Sequence, residues 1–507
     1  MIARIQTVAF QGIQAINIDV QVQAVSGLPS FQIVGLPDKA VGESRERVRA
    51  ALQSIGLALP TKRITVNLSP ADLLKEGSHY DLPLAIGLLI AMEVLPAEEL
   101  GRYMALGELA LDGEIRPVSG VLPTAIQALS SGKDLICPSA CGPEAAWAEG
   151  LEVLAPVSLV ALVNHFKGLQ VLSPPEPKIQ DISEKVLDMI DVKGQETAKR
   201  SIEIAAAGGH NLLMQGPPGS GKSMLAARLG GLLPSLDPQE ALEVTMIHSV
   251  MGQLPDGGLI RRRPFRDPHH SASLPALIGG GMRARPGEIS LAHQGVLFLD
   301  ELPEFSRGAL EALRQPLETG HVTVSRVNAH MSYPARFQLV AAMNPCRCGY
   351  MSDLSRACSR VPQCGADYQS KISGPILDRI DLHTFVPEVS AHDLAAAPSG
   401  ESSEKIRQRV LKARNLQKDR LRMLLGENTR IVTNAQVSGQ SLEKIAPLAS
   451  ESQAILQKAA EQMKLSARGY HRVLRVARTL ADLEEEKSIS PTHISEALSF
   501  RPLTFSK

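Results

Sequence analysis

The sequence predicts a multidomain α/β protein, and three observations carry that reading. Strand-like and helix-like runs alternate up to about residue 167, a proline-rich break follows at 173–178, and a glycine-rich loop then lies between a short apolar strand and a helix. In the first part, Ile16 to Val25 and Arg63 to Leu68 have the β-branched, alternating character of strands, whereas Glu43 to Ile55 and Leu84 to Leu95 repeat apolar residues at helical spacing. A second block from Arg116 to Leu154 has turn residues at Asp112-Gly113, Ser119-Gly120 and Ser131-Gly132. Ser173-Pro174-Pro175-Glu176-Pro177-Lys178 reads as a stiff linker, and Ala395-Ala396-Ala397-Pro398-Ser399-Gly400 as a second break. Beyond Ser402 the chain is rich in Ala, Leu, Gln, Glu, Lys and Arg at helical spacing, which predicts a small helical domain. The expected units are an N-terminal α/β domain over 1–170, a linker over 171–185, an α/β core over 186–395 and a helical domain over 396–507.

A chain of 507 residues exceeds what one hydrophobic core usually supports. Lys plus Arg equal Asp plus Glu at 53 each, so the molecule as a whole has no attraction for polyanions and any nucleic-acid site must be a local basic surface. Six cysteines are too few for a disulfide scaffold, and no N-terminal segment has the pattern of a secretory signal, so the expected location is cytoplasmic. Leu82 to Val94 is too short to span a bilayer and contains Pro83 and Glu93, which predicts a buried helix.

The chemistry concentrates after the linker. Asn211 to Gln215 runs as an apolar strand into Gly216-Pro217-Pro218-Gly219-Ser220-Gly221-Lys222-Ser223, and Met224 to Leu233 continues at helical spacing. That is the setting of a phosphate-binding P-loop, whose glycines let backbone N–H groups face the phosphates at a helix N-terminus. Lys222 is expected to reach the β- and γ-phosphates of ATP, and Ser223 to ligate Mg2+. Gly295 to Leu299 predicts a buried strand ending in two carboxylates, with Asp300 on the magnesium and Glu301 as general base for the attacking water. A further strand, Gln338 to Met343, ends at Asn344, which suits orienting that water, although Asn-Pro also starts ordinary turns.

With these strings placed, the chain resembles the magnesium-chelatase branch of AAA+ ATPases, and within it the ComM/YifB family, over nearly its full length. The resemblance rests on the P-loop, on Arg263-Pro264-Phe265-Arg266-Asp267-Pro268-His269-His270, on Arg285 to His293, on Leu299-Asp300-Glu301-Leu302-Pro303-Glu304-Phe305 and on Ser373-Gly374-Pro375-Ile376-Leu377-Asp378-Arg379-Ile380-Asp381-Leu382. It implies that Arg379 acts on the nucleotide of a neighbouring subunit, that Arg468 in Ser466-Ala467-Arg468-Gly469 is a second such arginine, and that the enzyme is a hexameric ring. The bland alternatives are a salt bridge of Arg379 with Asp378 or Asp381, and a solvated helix face for Arg468.

Residues of roughly 20 to 150 resemble the α/β domain of Lon proteases, stripped of its catalytic dyad. In place of the nucleophile's string the chain has Asp81-Leu82-Pro83-Leu84-Ala85-Ile86, with Leu84 at the serine position. In place of the lysine's string it has Pro117-Val118-Ser119-Gly120-Val121-Leu122, with Leu122 at the lysine position. Neither leucine attacks a carbonyl or takes a proton, which leaves a scaffold or binding surface. Lys62-Arg63 and Glu43 to Arg49 are weaker candidates for nucleic acid, since mixed-charge helices are usually solvated faces.

For gripping DNA through its backbone, the candidates are Arg261, Arg262, Arg263 and Arg266, with Arg283 and Arg285, in the insertion Val250 to Ser290. Gly320 to Ala329 reads as a hairpin whose tip, near Arg326 and Asn328, is a second pore-facing candidate; the pair His269-His270 is given no role. Aromatic residues make up 3% of the chain, which disfavours a base-stacking platform. Cys346, Cys348, Cys358 and Cys364 cluster within nineteen residues and suggest a zinc site, against free thiols in a loop; the initial C-x-C spacing departs from the commoner C-x-x-C.

The function expected from the resemblance is a DNA motor: relatives of this type extend recombination intermediates by branch migration, a helicase activity, in natural transformation. The alternatives are a motor for magnesium insertion into a porphyrin, and an ATP-dependent protein-remodelling factor.

Overall fold

The computed structural model describes residues 2–178, 187–254, 257–281, 284–326, 329–351, 356–390, 400–427 and 429–501. Its N-terminal part is built on a seven-stranded mixed sheet in the spatial order 30–34, 63–69, 14–25, 2–11, 103–105, 134–136, 153–154. The longest pairing is the antiparallel hairpin of Ile2–Gln11 with Gln14–Val25, which turns where Gly12 takes a positive φ of 69°. Ile18, Val20 and Val22 alternate into the core, which is why this strand was legible in the pattern. Helix Lys39–Ser54 starts where the Asp38 carboxylate accepts the N–H of Val41. The run that suggested a buried helix forms Asp81–Ala91, with every residue from Asp81 to Ile90 buried. Its one charged member, Asp81, accepts two bonds from Arg47, at 2.6 and 2.9 Å. Arg47 therefore anchors a helix, while the flanking Arg45 and Arg49 pair with Glu46 on the surface. No helix among the described residues is long and apolar enough to cross a membrane.

The second part is a five-stranded, fully parallel sheet in the order 265–266, 296–299, 338–343, 212–215, 382–385. Both faces are covered, so Val296–Leu299 and Gln338–Met343 are buried throughout and, apart from Gln338, read as unbroken apolar runs. The strand 212–215 stands between the fourth and fifth strands in chain order, a point where the strand order reverses. Ligands bind parallel sheets at such a point, beyond the strands' C-terminal ends.

The C-terminal helices Ser403–Leu425, Ser450–Gln462, Ala467–Leu483 and Pro491–Ser499 pack onto this sheet unit rather than apart from it. Ile202 and Leu225 of the sheet's flanking helices share one apolar core with Val410, Leu480 and Ile494. A buried polar seam crosses the same boundary: His210 bonds Asp381 at 3.1 Å and Thr479 at 2.8 Å. The N-terminal part meets the core at helix Pro238–Met251. There the Gly120 N–H donates to Ser249 O, and the Ser249 hydroxyl donates to the buried Glu144 at 2.5 Å.

Candidate nucleotide site

Strand Leu212–Gln215 ends in the glycine-rich loop, and helix Lys222–Leu232 begins immediately after it. Gly219 and Gly221 have φ of +75° and +87°, a region that side chains with a Cβ rarely enter, so these two positions need glycine to bend the loop. Lys222 folds back into the loop, donating to the carbonyls of Gly216 at 2.9 Å and Pro217 at 2.8 Å and to Asn344 Oδ1 at 3.2 Å. Burial lowers the pKa of its ammonium, against the opposing pull of Asp300 and Glu301.

The Ser223 hydroxyl donates to Asp300 Oδ2 at 2.6 Å, so the end of strand 296–299 meets the first turn of the loop's helix. A hydroxyl beside a carboxylate is the donor set Mg2+ takes from a P-loop protein. Glu301 follows with a left-handed φ of 52°, and its carboxylate pairs with His270 Nδ1 at 3.2 Å. Lys222, Ser223, Asp300 and Asn344, drawn from three neighbouring strand ends, thus converge on one site, and Glu301 borders it. His270 is a contact that sequence reasoning left without a role. The edge strand Phe265–Arg266 runs parallel to Val296–Leu297 and carries the His269-His270 pair toward the acidic end of that strand.

The two predicted arginines lie elsewhere. Asn211, at the start of the loop's own strand, donates its side-chain amide to the Arg379 carbonyl at 2.8 Å, so Arg379 sits at the opposite end of the sheet from the P-loop. Its guanidinium donates to Pro375 O and to Glu318, each at 2.6 Å. Asp378 instead pairs with Arg472, and Asp381 with His210, so neither is the partner of Arg379. Arg472 also donates to the carbonyls of Leu377 and Ile380, clamping the segment that carries Arg379 onto the C-terminal helices. Arg468 is exposed and lines with Arg379 and Glu318 a cleft of about 620 Å3; the two arginines together hold the Glu318 carboxyl below its usual range.

Three family matches tile the chain in register with this geometry: "Subunit ChlI of Mg-chelatase" over residues 20–141, "Magnesium chelatase, subunit ChlI" over 188–394, and "Magnesium chelatase, subunit ChlI C-terminal" over 400–501. The competence protein ComM of Haemophilus influenzae is 43% identical over 501 residues, covering 98% of this chain and 96% of its own. The YifB protein of Escherichia coli is 44% identical over 502 residues, covering 98% and 97%. The chain belongs to the ComM/YifB family of magnesium-chelatase-like ATPases. By contrast, the magnesium-chelatase 38 kDa subunit of Rhodobacter capsulatus is 27% identical over 173 residues, 30% of this chain. Membership of the ComM/YifB family brings with it ATP hydrolysis of the AAA+ type and the binding of ATP and Mg2+.

Two of the arginines expected to face DNA are tied into the framework of this ComM/YifB-family fold. Arg263 donates to Pro234 O, Gln294 O and Glu240, and Arg266 makes two bonds to Glu288, at 2.6 and 2.7 Å. A phosphate reaching either side chain would have to displace a paired carboxylate. Arg261 and Arg262 are exposed, with no ion pair among the described residues. The expected hairpin forms from His321–Arg326 and Ala329–Pro334. The Arg326 side chain, Asn328, Arg283 and the break at 395–399 lie outside the described residues.

The four clustered cysteines come together. Cys346 and Cys348 sulfurs are 3.1 Å apart, those of Cys358 and Cys364 are 3.3 Å apart, and Cys346, Cys348 and Cys364 lie mutually within 4.8 Å.

Proposed function

We propose that the chain is the subunit of a hexameric ring ATPase that couples hydrolysis to movement along DNA, driving branch migration of recombination intermediates in natural transformation. The observation that carries this reading is the placement of Arg379 at the end of the sheet away from the P-loop, bonded to the residue that starts the loop's strand. The strand alone spans four residues, about 13 Å. A guanidinium there serves a neighbour's nucleotide rather than its own, which calls for a ring. The DNA substrate is supported by the Haemophilus relative being a competence protein, and by the exposed Arg261 and Arg262.

In this reading the backbone of Gly216 to Ser223 cradles the phosphates, and Lys222 leaves the loop carbonyls for the β- and γ-phosphates. Ser223 and Asp300 would hold Mg2+, which would supply positive charge against the phosphates. Glu301 releases His270 and takes the proton of the attacking water, which Asn344 orients. Arg379 and Arg468 of the adjoining subunit stabilise the phosphoryl charge. The N-terminal domain, Lon-like in pattern, serves as a scaffold: Leu84 and Leu122 are fully buried in apolar helices, where no peptidase dyad operates. Units of 1–170, 186–395 and 396–507 joined by a linker at 171–185 fit the division of labour.

The test is ATPase activity of the full chain without polymer and with single-stranded, duplex and forked DNA or unfolded protein. Stimulation by forked or duplex DNA is expected. No stimulation by any DNA, or stimulation by unfolded protein alone, would replace the DNA motor with a protein-remodelling factor.

A further inference from the structure

Cys346, Cys348, Cys358 and Cys364 differ in kind from the other two cysteines of the chain. Cys137 and Cys141 sit in an apolar cluster with Val8, Met104 and Leu135, the ordinary place for a thiol used as a small hydrophobe. None of the four clustered thiols joins the apolar clusters of the described residues, although Cys346 is fully buried. They come from a loop and a short helix, Gln363–Gln369, with nothing in regular secondary structure to force their convergence. Their sulfurs stand 3.1 and 3.3 Å apart within pairs, too far for disulfide bonds of about 2.05 Å. A tetrahedral zinc with Zn–S bonds of about 2.3 Å sets its sulfurs about 3.8 Å apart; Cys346, Cys348 and Cys364 already lie mutually within 4.8 Å, and Cys358, beside Cys364, completes the set by moving inward.

The turn that holds the first pair touches the nucleotide site. Gly349 donates its N–H to Cys346 O at a positive φ of 86°, closing a knuckle around Cys346-Arg347-Cys348. A Cβ on Gly349 would lie 2.4 Å from Pro218 Cδ, so the knuckle rests directly on the P-loop. On its other side, Asn344 is two residues before Cys346, and Pro345 O accepts the Gln369 side chain of the helix that bears Cys364.

We propose that Cys346, Cys348, Cys358 and Cys364 bind one structural zinc ion, and that this clasp fixes the wall of the nucleotide pocket formed by Asn344 and Pro218. The second half rests on the assignment of Gly216 to Ser223 as the nucleotide loop; the first half does not. A closed four-thiolate site leaves no position for substrate, so the metal is structural.

The measurement is elemental analysis of the reduced full chain, and of the same protein grown with cobalt, beside Cys364→Ser, Cys358→His and the control Cys137→Ser. One zinc per chain is expected in the parent and the control, retained in Cys358→His as a Cys3His site and lost in Cys364→Ser. The cobalt protein should show the visible absorption of a tetrahedral thiolate site. Less than about a fifth of an equivalent of zinc, equal zinc in Cys364→Ser and the parent, or iron in place of zinc overturns the site. For the coupling, ADP affinity should weaken about tenfold in Cys364→Ser and remain near parental in Cys358→His. Zinc loss with unchanged ADP affinity overturns the coupling and keeps the site. Failure of the parent itself to bind ADP would overturn the P-loop assignment instead.

Discussion

Glu318 accepts a 2.6 Å bond from the Arg379 guanidinium, and both face the cleft that Arg468 lines. With Pro375 O as its other partner, Arg379 is only 13% exposed on its side chain and is held in one direction before any neighbour arrives. Preorganised donors stabilise developing charge more than donors that must first be ordered. Glu318→Ala is therefore expected to lower kcat about tenfold with little change in KM. In the background of Arg379→Ala the same substitution should cost nothing more. Steady-state kinetics on the four proteins of this cycle check it; an equal loss in both backgrounds would show that Glu318 acts through something other than Arg379.

Lys222→Ala and Glu301→Gln should fail differently. The first removes the cation that fills the loop and is expected to abolish nucleotide binding. The second keeps the loop and the Ser223–Asp300 pair and is expected to bind ATP but turn it over at least about a hundredfold more slowly. Equilibrium binding of a fluorescent ATP analogue, set beside phosphate release, separates them. Parental turnover by Glu301→Gln would remove Glu301 from the role of base.

These strings were legible because each is local: a strand, a loop and a helix within some twenty residues, or a strand closed by its own carboxylates. The partners that finish the site were not legible, because they come from far along the chain. Arg379 meets Glu318 across 61 residues, and Arg472 reaches Asp378 across 94. The run Arg261-Arg262-Arg263 shows the same limit from the other side, since nothing in three adjacent arginines tells which one will be spent on Glu240. Helix ends slipped for a related reason. The helix read as Leu84 to Leu95 runs Asp81–Ala91, its start set by the buried Asp81–Arg47 pair and its end followed by Glu93 at a φ of 61°.

The junction between the N-terminal part and the core should depend on pH through Glu144. Burial raises the pKa of this carboxyl above its unfolded value, although Leu122 N–H and the Ser249 hydroxyl both donate to it. A raised folded pKa means that its contribution to stability is fully present below the unfolded value and is lost as pH rises through the folded one. Glu144→Gln keeps an acceptor and removes the buried charge, so its stability relative to the parent should rise as pH is raised from about 4.3, the unfolded glutamate value, through the folded one. Denaturant unfolding followed across that range checks the slope. A gap that shrinks as pH rises would contradict the burial argument.

The most direct test of the account is hydrolysis by mixed subunits. Arg379→Ala subunits keep an intact P-loop, and Lys222→Ala subunits keep an intact Arg379. If each site is completed by the neighbour, co-expressing and purifying the two together restores part of the activity that neither has alone, because only mixed interfaces join a good loop to a good arginine. An arginine near the transferring phosphoryl group is worth roughly 10³-fold in rate, so the restored activity stands well clear of either mutant. Mixed assemblies shown by mass to contain both subunits, yet hydrolysing ATP no faster than the mutants apart, would contradict it.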